Sequence, residues 1–424
     1  MLEINKIRLN KEKVIELLGV KNFKDADQKI NNLIDLDEKK RQVQKQLEDI
    51  KADLNVKAKE IGKFMMQGEK DLAEKTKEEV AALKENSKDL EKELTEKEKE
   101  IEELLLSIPN LPHSSVPIGK TAEDNFVELI EGEIPKLWDG ATPHWDLCAK
   151  YDIVDFELGN KITGSGFPVY KGKGAKLQRA LINFFLDEAT KSGFDEVQPP
   201  LMVNEASAMA TGQLPDKEGQ MYAIPLDGFY MIPTAEVPLT NIFRDTILQE
   251  KDFPIRKCGY SQCFRREAGS YGKDVRGLNR LHQFDKVEIV CIEHPDKSYE
   301  QLEKMKQHVM GILSKLELPY RILRLCGGDM SFTSALTFDF ETYSAAQERW
   351  LEVSSVSNFE TFQSNRLKLR FKNQEGKTQL AHTLNGSALA LPRIVASLLE
   401  NNQTPEGIRI PKALVPYTGF EIID

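Results

Sequence analysis

Cysteine is scarce and unpatterned. Cys148, Cys258, Cys263, Cys291 and Cys326 are the five in 424 residues, and no two form a C-x-x-C pair. That excludes a disulfide framework and a clustered thiolate metal site, and it predicts scattered buried thiols in a reducing compartment. No stretch approaches the roughly 18 apolar residues of a membrane-spanning helix, and the opening MLEINKIRLNKEKV has no apolar signal segment, so the expected location is the cytoplasm. Neither G-x-G-x-x-G nor a Walker loop is present, which argues against nucleotide binding in a Rossmann crevice. Positive charge is in deficit, 58 Lys and Arg against 68 Asp and Glu, for a net charge of −10. Indiscriminate binding to nucleic acid is therefore not expected, although a local basic face remains open. A chain of this length suggests two or three domains with ample core.

Two further absences locate the first domain. Proline does not occur before Pro109, and between residues 24 and 105 Phe64 is the one aromatic. In their place Lys, Glu, Asp and Leu dominate. Apolar residues recur three and four apart at Leu36, Val43, Leu47, Ile50, Leu54 and Ile61. After Gln67-Gly68 they resume at Val80, Leu83, Leu90, Leu94, Ile101 and Leu104, with Thr76, Ser87 and Lys97 filling the seam. A heptad seam on each side of a break predicts two long helices folded back as an antiparallel coiled coil. At about 38 residues per arm and ~1.5 Å rise, its length is roughly 55 to 60 Å. Such a rod is too thin to hold a catalytic pocket. From Lys39 to Lys63 eight basic residues (Lys39, Lys40, Arg41, Lys45, Lys51, Lys57, Lys59 and Lys63) face four acidic ones, whereas the returning helix is acidic. That excess reads either as a solvated face or as a surface for a polyanion.

Ile108-Pro109-Asn110-Leu111-Pro112-His113 stops the rod and marks a boundary, giving domains of 1–110 and 111–424. Residues 127–167 mix short strand and turn signals, and the lone His144 in TPHWDL reads as structural. Gly174 to Ser192 is an amphipathic helix with Leu177, Ala180, Leu181, Phe184 and Ala189 on one stripe, followed by a short strand from Phe194 to Val197 that runs into Pro199-Pro200.

Four stretches carry polar residues that fit a structural role and a ligand-binding role alike. The first, Cys263 to Val290, predicts a strand ending on Phe264-Arg265-Arg266-Glu267, then a polar loop and a second strand carrying His282, Phe284 and Glu288. The loop contains Gly269, Gly272, Lys273, Arg276, Gly277 and Arg280. A glycine-rich basic loop between strands suits an anion lying on a sheet, although an ordinary solvated hairpin has the same composition. In Ile232-Pro233-Thr234-Ala235-Glu236 a hydroxyl and a carboxylate are offered together; the spacing equally fits Thr234 as a helix N-cap. Glu352-Val353-Ser354-Ser355 supplies hard oxygen donors. Thr383-Leu384-Asn385-Gly386-Ser387, read with a helix from Ala388 to Glu400, suggests a glycine-led helix start that binds anions, with Pro392 kinking or restarting the helix before Arg393. Arg393 alone also fits an arginine snorkelling from an amphipathic helix.

FRREAGSYGKDVRGLNRLHQFDKVE resembles motif 2 of the class II aminoacyl-tRNA synthetases, in a spelling close to the seryl-tRNA synthetases of bacterial type. The IPNLPH junction, the TAE element and the EVSS strand are also similar to that family. Residues of about 174–200, 260–290 and 383–400 resemble motifs 1, 2 and 3. The resemblance implies an α+β fold: an N-terminal antiparallel coiled-coil arm that grips tRNA, then an antiparallel sheet core flanked by helices, in a homodimer joined through motif 1. It implies serine activation with ATP and Mg²⁺ and transfer to tRNA(Ser), with tRNA(Sec) left open. By the same resemblance Arg265 and Arg393 are catalytic, and Thr234, Ala235, Glu236, Glu288 and Ser387 hold serine. Arg265, Arg266, Glu267, Phe284, Glu352, Val353, Ser354, Ser355 and Arg393 bind ATP, and Glu352 and Ser355 ligate Mg²⁺. Leu336 and Leu351 depart from the family, which has lysine and arginine there. Two other readings are an amino-acid ligase acting on a carrier protein and an inactive coiled-coil paralogue.

Overall fold

The computed structural model describes residues 1–216, 218–267 and 276–424. The chain divides into two compact units, one of residues 2–19 and 23–109, the other of residues 1, 20–22 and 110–424.

The first unit contains the short helices α1 (Ile4–Leu9) and α2 (Lys11–Val20) and two long ones, α3 (Ala26–Gln67) and α4 (Lys70–Leu106). The break falls at Gly68, whose φ of 79° lets the chain reverse where a side chain would strain it. The expected seam forms, with Val43 and Leu47 of α3 and Thr76, Ser87 and Ile101 of α4 buried along it. Near its start the seam differs from expectation. Asp37 is buried and Leu36 only partly so, because Arg8 of α1 at 2.7 Å and Arg41 at 3.0 Å neutralise the Asp37 carboxylate. Lys40, Lys51 and Lys57 reach across to Glu98, Glu91 and Glu79 at 3.1, 2.9 and 2.5 Å, so part of the basic excess is matched within the hairpin. Lys45, Lys59 and Lys63 stay exposed.

The second unit is built on an eight-stranded sheet: β1 (Phe126–Glu131), β2 (Asp195–Glu196), β3 (Ile255–Phe264), β4 (Gln283–Glu293), β5 (Tyr320–Arg324), β6 (Leu336–Ser344), β7 (Arg349–Glu360) and β8 (His382–Ala390). The spatial order is β1-β5-β6-β7-β8-β4-β3-β2, antiparallel except where β2 runs parallel to β3. The helices that matter below are α5 (His144–Lys150), α6 (Gly172–Lys191), α7 (Glu236–Asn241), α8 (Ser298–Lys315), α9 (Thr361–Leu367) and α10 (Leu391–Asn401). Leu181 and Phe185 of α6, Met305 and Val309 of α8, and Ile394 and Leu399 of α10 join one apolar core with Val287, Ile289, Phe338, Phe340 and Val356 of the sheet. Strand side chains alternate between faces, so Lys286, Glu288, Asp339 and Ser355 point to the opposite side.

The motif 3 stretch corrects the sequence reading. Gly386 and Ser387 lie inside the central strand β8, and the helix begins only at Leu391, with Pro392 in its first turn. There is no glycine-led helix start, and the proline neither kinks nor restarts the helix. A central strand buried on both faces loses the two-residue alternation that distinguishes it from a helix, and all of His382–Leu389 is buried. Gly386 sits in tight packing instead, since a Cβ there would lie 3.2 Å from Val356 and 3.3 Å from Met305. In motif 2 the strands pair as expected, but β3 ends at Phe264 and β4 begins at Gln283. Gly269, Gly272 and Lys273 lie outside the described residues.

Candidate active site

A cavity of about 590 Å³ opens on the face of the sheet opposite α6 and α8. That volume is in the range of small-molecule sites. Its floor follows from strand periodicity. Phe284, Lys286 and Glu288 are alternate residues of β4 and all line it, as do Asn385 and Ser387 of β8. Glu288 lies directly opposite Ser387 in the β4–β8 register.

One end of the cavity is a buried polar corner. Thr234 donates its hydroxyl to Glu288, and the Glu236 N–H reaches the same carboxylate at 2.7 Å. The Lys286 ammonium stands 2.7 Å from Glu288 Oε1 and 3.1 Å from Thr234 Oγ1. Burial pushes the Glu288 carboxyl up, but the Lys286 charge and these hydrogen bonds outweigh it and hold the group below its ordinary range. Glu236 goes the other way. Burial and the neighbouring Glu288 charge push it up to about 7, against partial relief from Gln363, Lys286 and Arg265. Gln363 of α9 donates to Glu236 at 2.5 Å and accepts from Thr383 at 2.7 Å, which fixes the amide orientation. The corner therefore holds one settled carboxylate and one that ionises near neutrality, an arrangement suited to an ammonium group. The helix α7 begins at Glu236 with Ala235 in the cap position, one residue beyond the expected Thr234, whose hydroxyl accepts the Glu236 N–H at 3.3 Å.

The other end carries the arginines. The Arg265 guanidinium lies 5.3 Å over the Phe284 ring and donates to the Pro233 carbonyl at 3.3 Å. Arg393 donates from Nε to the Asn279 carbonyl at 2.9 Å and from Nη1 to the Glu352 carbonyl at 2.8 Å. Glu267 pairs with Arg280 at the rim. Glu352 and Ser355 are three residues apart, which on a regular strand would put them on opposite faces. Here Glu352 pairs with Glu341 and Ser354 with Phe340, leaving Val353 as a bulge that restores both to the cavity side. Asp339 sits opposite Ser355, and its Oδ1 is buried without a hydrogen-bond partner. Burial and the Glu352 charge raise the Asp339 carboxyl well above its ordinary value.

Of the residues singled out in the sequence, Thr234, Glu236, Arg265, Glu267, Phe284, Glu288, Glu352, Val353, Ser354, Ser355, Ser387 and Arg393 all line this cavity. Ala235 and Arg266 are not among the lining residues; Ala235 is fully buried in a core beneath α7, and the Arg266 backbone bonds to Gln220. Ser354 turns its hydroxyl onto the Ser387 carbonyl at 2.6 Å. Leu336 and Leu351 are buried and, by strand alternation, on the far side from the cavity, so neither departure alters the lining. Sequence reasoning missed Lys286, Asp339, Asn279 and Gln363. The first was within reach, because Phe284, Lys286 and Glu288 share one strand face.

Two family models match the chain: the seryl-tRNA synthetase N-terminal domain over residues 1–112, and the tRNA synthetase class II core domain (G, H, P, S and T) over residues 223–402. A serine--tRNA ligase of Salinibacter ruber is 52% identical over 99% of this chain and 98% of its own length. One from Chlorobaculum parvum is 45% identical over 100% of both. Among solved structures, seryl-tRNA synthetase from Pyrococcus horikoshii complexed with ATP superposes with a TM-score of 0.93 at 33% identity, covering 100% of this chain and 99% of that one. The cytoplasmic serine-tRNA ligase of Naegleria fowleri in complex with AMP gives 0.88 at 28%, with coverage of 100% and 99%. Matched from end to end, arm and core together, this chain belongs to the seryl-tRNA synthetase family of class II.

Proposed function

We propose that this chain joins L-serine to ATP as seryl-adenylate and then passes the seryl group to tRNA(Ser), with the cavity residues in the following roles. The observation that carries the reading is the buried Thr234–Lys286–Glu288–Ser387 corner set beside an arginine-lined trough on one sheet face. Glu288 and Glu236 receive the serine ammonium, and Ser387 with Thr234 pairs the serine hydroxyl. Phe284 offers its ring to adenine, Glu267 accepts from the base, and Arg265 and Arg393 take phosphate charge. Activation is attack of the serine carboxylate on the α-phosphorus with pyrophosphate leaving, so orientation and charge neutralisation suffice and no covalent nucleophile is required. Glu352 and Ser355, with the orphaned Asp339 Oδ1 beside them, fit a hard divalent cation such as Mg²⁺, which when bound would offset triphosphate charge.

The arm binds tRNA in this reading, through the exposed Lys45, Lys59 and Lys63 rather than through the lysines already paired across the seam. A homodimer is proposed on the family relationship; Phe126, Val127 and Ile130 leave apolar surface exposed on the edge strand β1. No helix among the described residues is long and apolar enough to cross a membrane, and the cytoplasm is the proposed location. The carrier-protein ligase leaves the arm without a task, and an inactive paralogue should have lost phosphate-binding arginines that stand in this cavity. ATP–pyrophosphate exchange screened over the amino acids tests the assignment. Serine should support exchange and alanine should fall about 10⁴-fold behind, because a pocket built for a hydroxyl is left with unpaired polar groups. Alanine within tenfold of serine would remove the pocket assignment.

A further inference from the structure

Outside the cavity a polar cluster joins the buried His144, Glu400 and Ser344 with the half-buried Gln347. His144 opens α5 and is fully buried. Its Nε2 accepts the Leu278 N–H at 2.9 Å, so the ring proton sits on Nδ1, 2.7 Å from Glu400 Oε1. Glu400 also accepts the His144 backbone N–H and the Gln347 side chain, each at 2.9 Å, and the Ser344 hydroxyl. Burial pushes the Glu400 carboxyl up, but the bonds from His144 and Ser344 outweigh it and hold it below its ordinary range. The imidazole is thus oriented from behind by a charged partner that cannot turn away.

In front, the ring and its neighbours fasten four consecutive residues at the return end of the loop between β3 and β4. The Arg276 guanidinium lies 4.5 Å over Trp145. Gly277, at φ 66°, lies so close to His144 that a Cβ would come within 2.3 Å of Nε2. Leu278 gives its N–H to the ring. Asn279 donates to Gln347 at 2.9 Å, and its carbonyl is the acceptor for Arg393. Leu278 and Asn279 are themselves cavity wall. From Glu400 the path runs by hydrogen bonds to the Leu278 N–H and the Asn279 side chain and then along the backbone to the Asn279 carbonyl that holds Arg393; Glu400 and Arg393 both lie on α10, seven positions or about two turns apart on one helix face.

We propose that His144 and Glu400 are positioning residues for ATP: they dock the return end of this loop and, through the Asn279 carbonyl, set the angle of Arg393. The inference rests on the reading of Arg393 as a phosphate group's partner. A core histidine with only a packing role would bond to its own helix or to a neighbouring strand, whereas this one bonds to the backbone of the cavity wall.

The test is the double variant His144→Ala, Glu400→Gln, which leaves no buried carboxylate unpaired. Leu313→Ala on α8 serves as a core substitution of ordinary kind. ATP affinity is measured by direct titration, KM for ATP and serine by pyrophosphate exchange, and amide hydrogen exchange across residues 276–281 by mass spectrometry. We expect weaker ATP binding by about tenfold, as is common when the support of a ligand-binding group is removed, serine KM within twofold of wild type, and faster exchange at 276–281. Leu313→Ala should lower the melting temperature and leave both KM values alone. Gln347→Ala, at a half-buried position, should give the same split in weaker form if the double variant does not fold. Unchanged ATP affinity in a folded variant, serine KM rising in step with ATP KM, or the same split in Leu313→Ala would each overturn the proposal. A wild-type protein without serine-dependent exchange would defeat the functional reading instead, and the titration would still decide the role of His144.

Discussion

Replacing Glu236 with glutamine should make the ligand-free protein more stable at pH 8 while removing its grip on serine. The carboxyl is enclosed with Glu288, Thr234 and Gln363, and burial with the Glu288 charge raises it from 4.5 to about 7. An acid raised in this way keeps its proton in the folded state at pH values where the unfolded chain has already released it. Stability therefore falls as pH rises from near 4.5, and above about 7 the loss is complete. At about 1.4 kcal/mol per pH unit the cost is roughly 3 kcal/mol. Glutamine keeps the shape and still accepts from Gln363, but carries no charge to desolvate. The advantage of Glu236→Gln over wild type should grow from near zero at pH 4.5 to roughly 3 kcal/mol at pH 8, a shift of a few degrees in melting temperature. Serine should close the gap by stabilising wild type alone, because its ammonium supplies Glu236 with the direct counter-charge that Lys286, paired with Glu288, does not. The assay is thermal unfolding of both proteins at pH 5 and pH 8, with and without serine. A stability difference that does not change between the two pH values would refute the reasoning.

Lys286→Met should cost about 3–5 kcal/mol, because it leaves Glu288 buried without its partner 2.7 Å away; denaturant unfolding gives the value, and a loss below 1 kcal/mol would mean Glu288 is already solvated or protonated. Arg265→Ala and Arg393→Ala should each lower pyrophosphate exchange by ~10²-fold or more while folding normally, and near-normal exchange in either would remove that arginine from the mechanism. Shortening the arm by deleting residues 47–93 and closing it with a short Gly/Ser link keeps the Arg8–Asp37 contact. Exchange should survive and transfer to tRNA should collapse, with a salt dependence in the intact protein that the shortened one lacks; normal charging by the shortened protein would sink the arm's role.

Strong local periodicity makes the arm legible in the sequence. Seam residues as unpromising as Thr76 and Ser87 are placed by the heptad alone, because a two-helix coil buries whatever occupies those positions. Motif 2 is legible differently: residue type and spacing alone also fit a solvated hairpin, and it is the resemblance to a known family that marks Arg265, Phe284 and Glu288 as site residues. What the sequence could not decide depends on long-range pairing. Glu352 and Ser355 share a face only because Val353 bulges against β6, and the strand character of His382–Ala390 comes from being covered on both sides. Gln363 meets Glu236 across 127 positions of chain, and His144 meets Leu278 across 134, so neither pairing leaves a local trace. The sequence by itself determined the helical rod, and the resemblance of its motifs to a known family picked out twelve of the side chains that line the cavity. Tertiary structure alone decided which carboxylates sit close enough to shift each other's ionisation, because burial and proximity are properties of the folded chain.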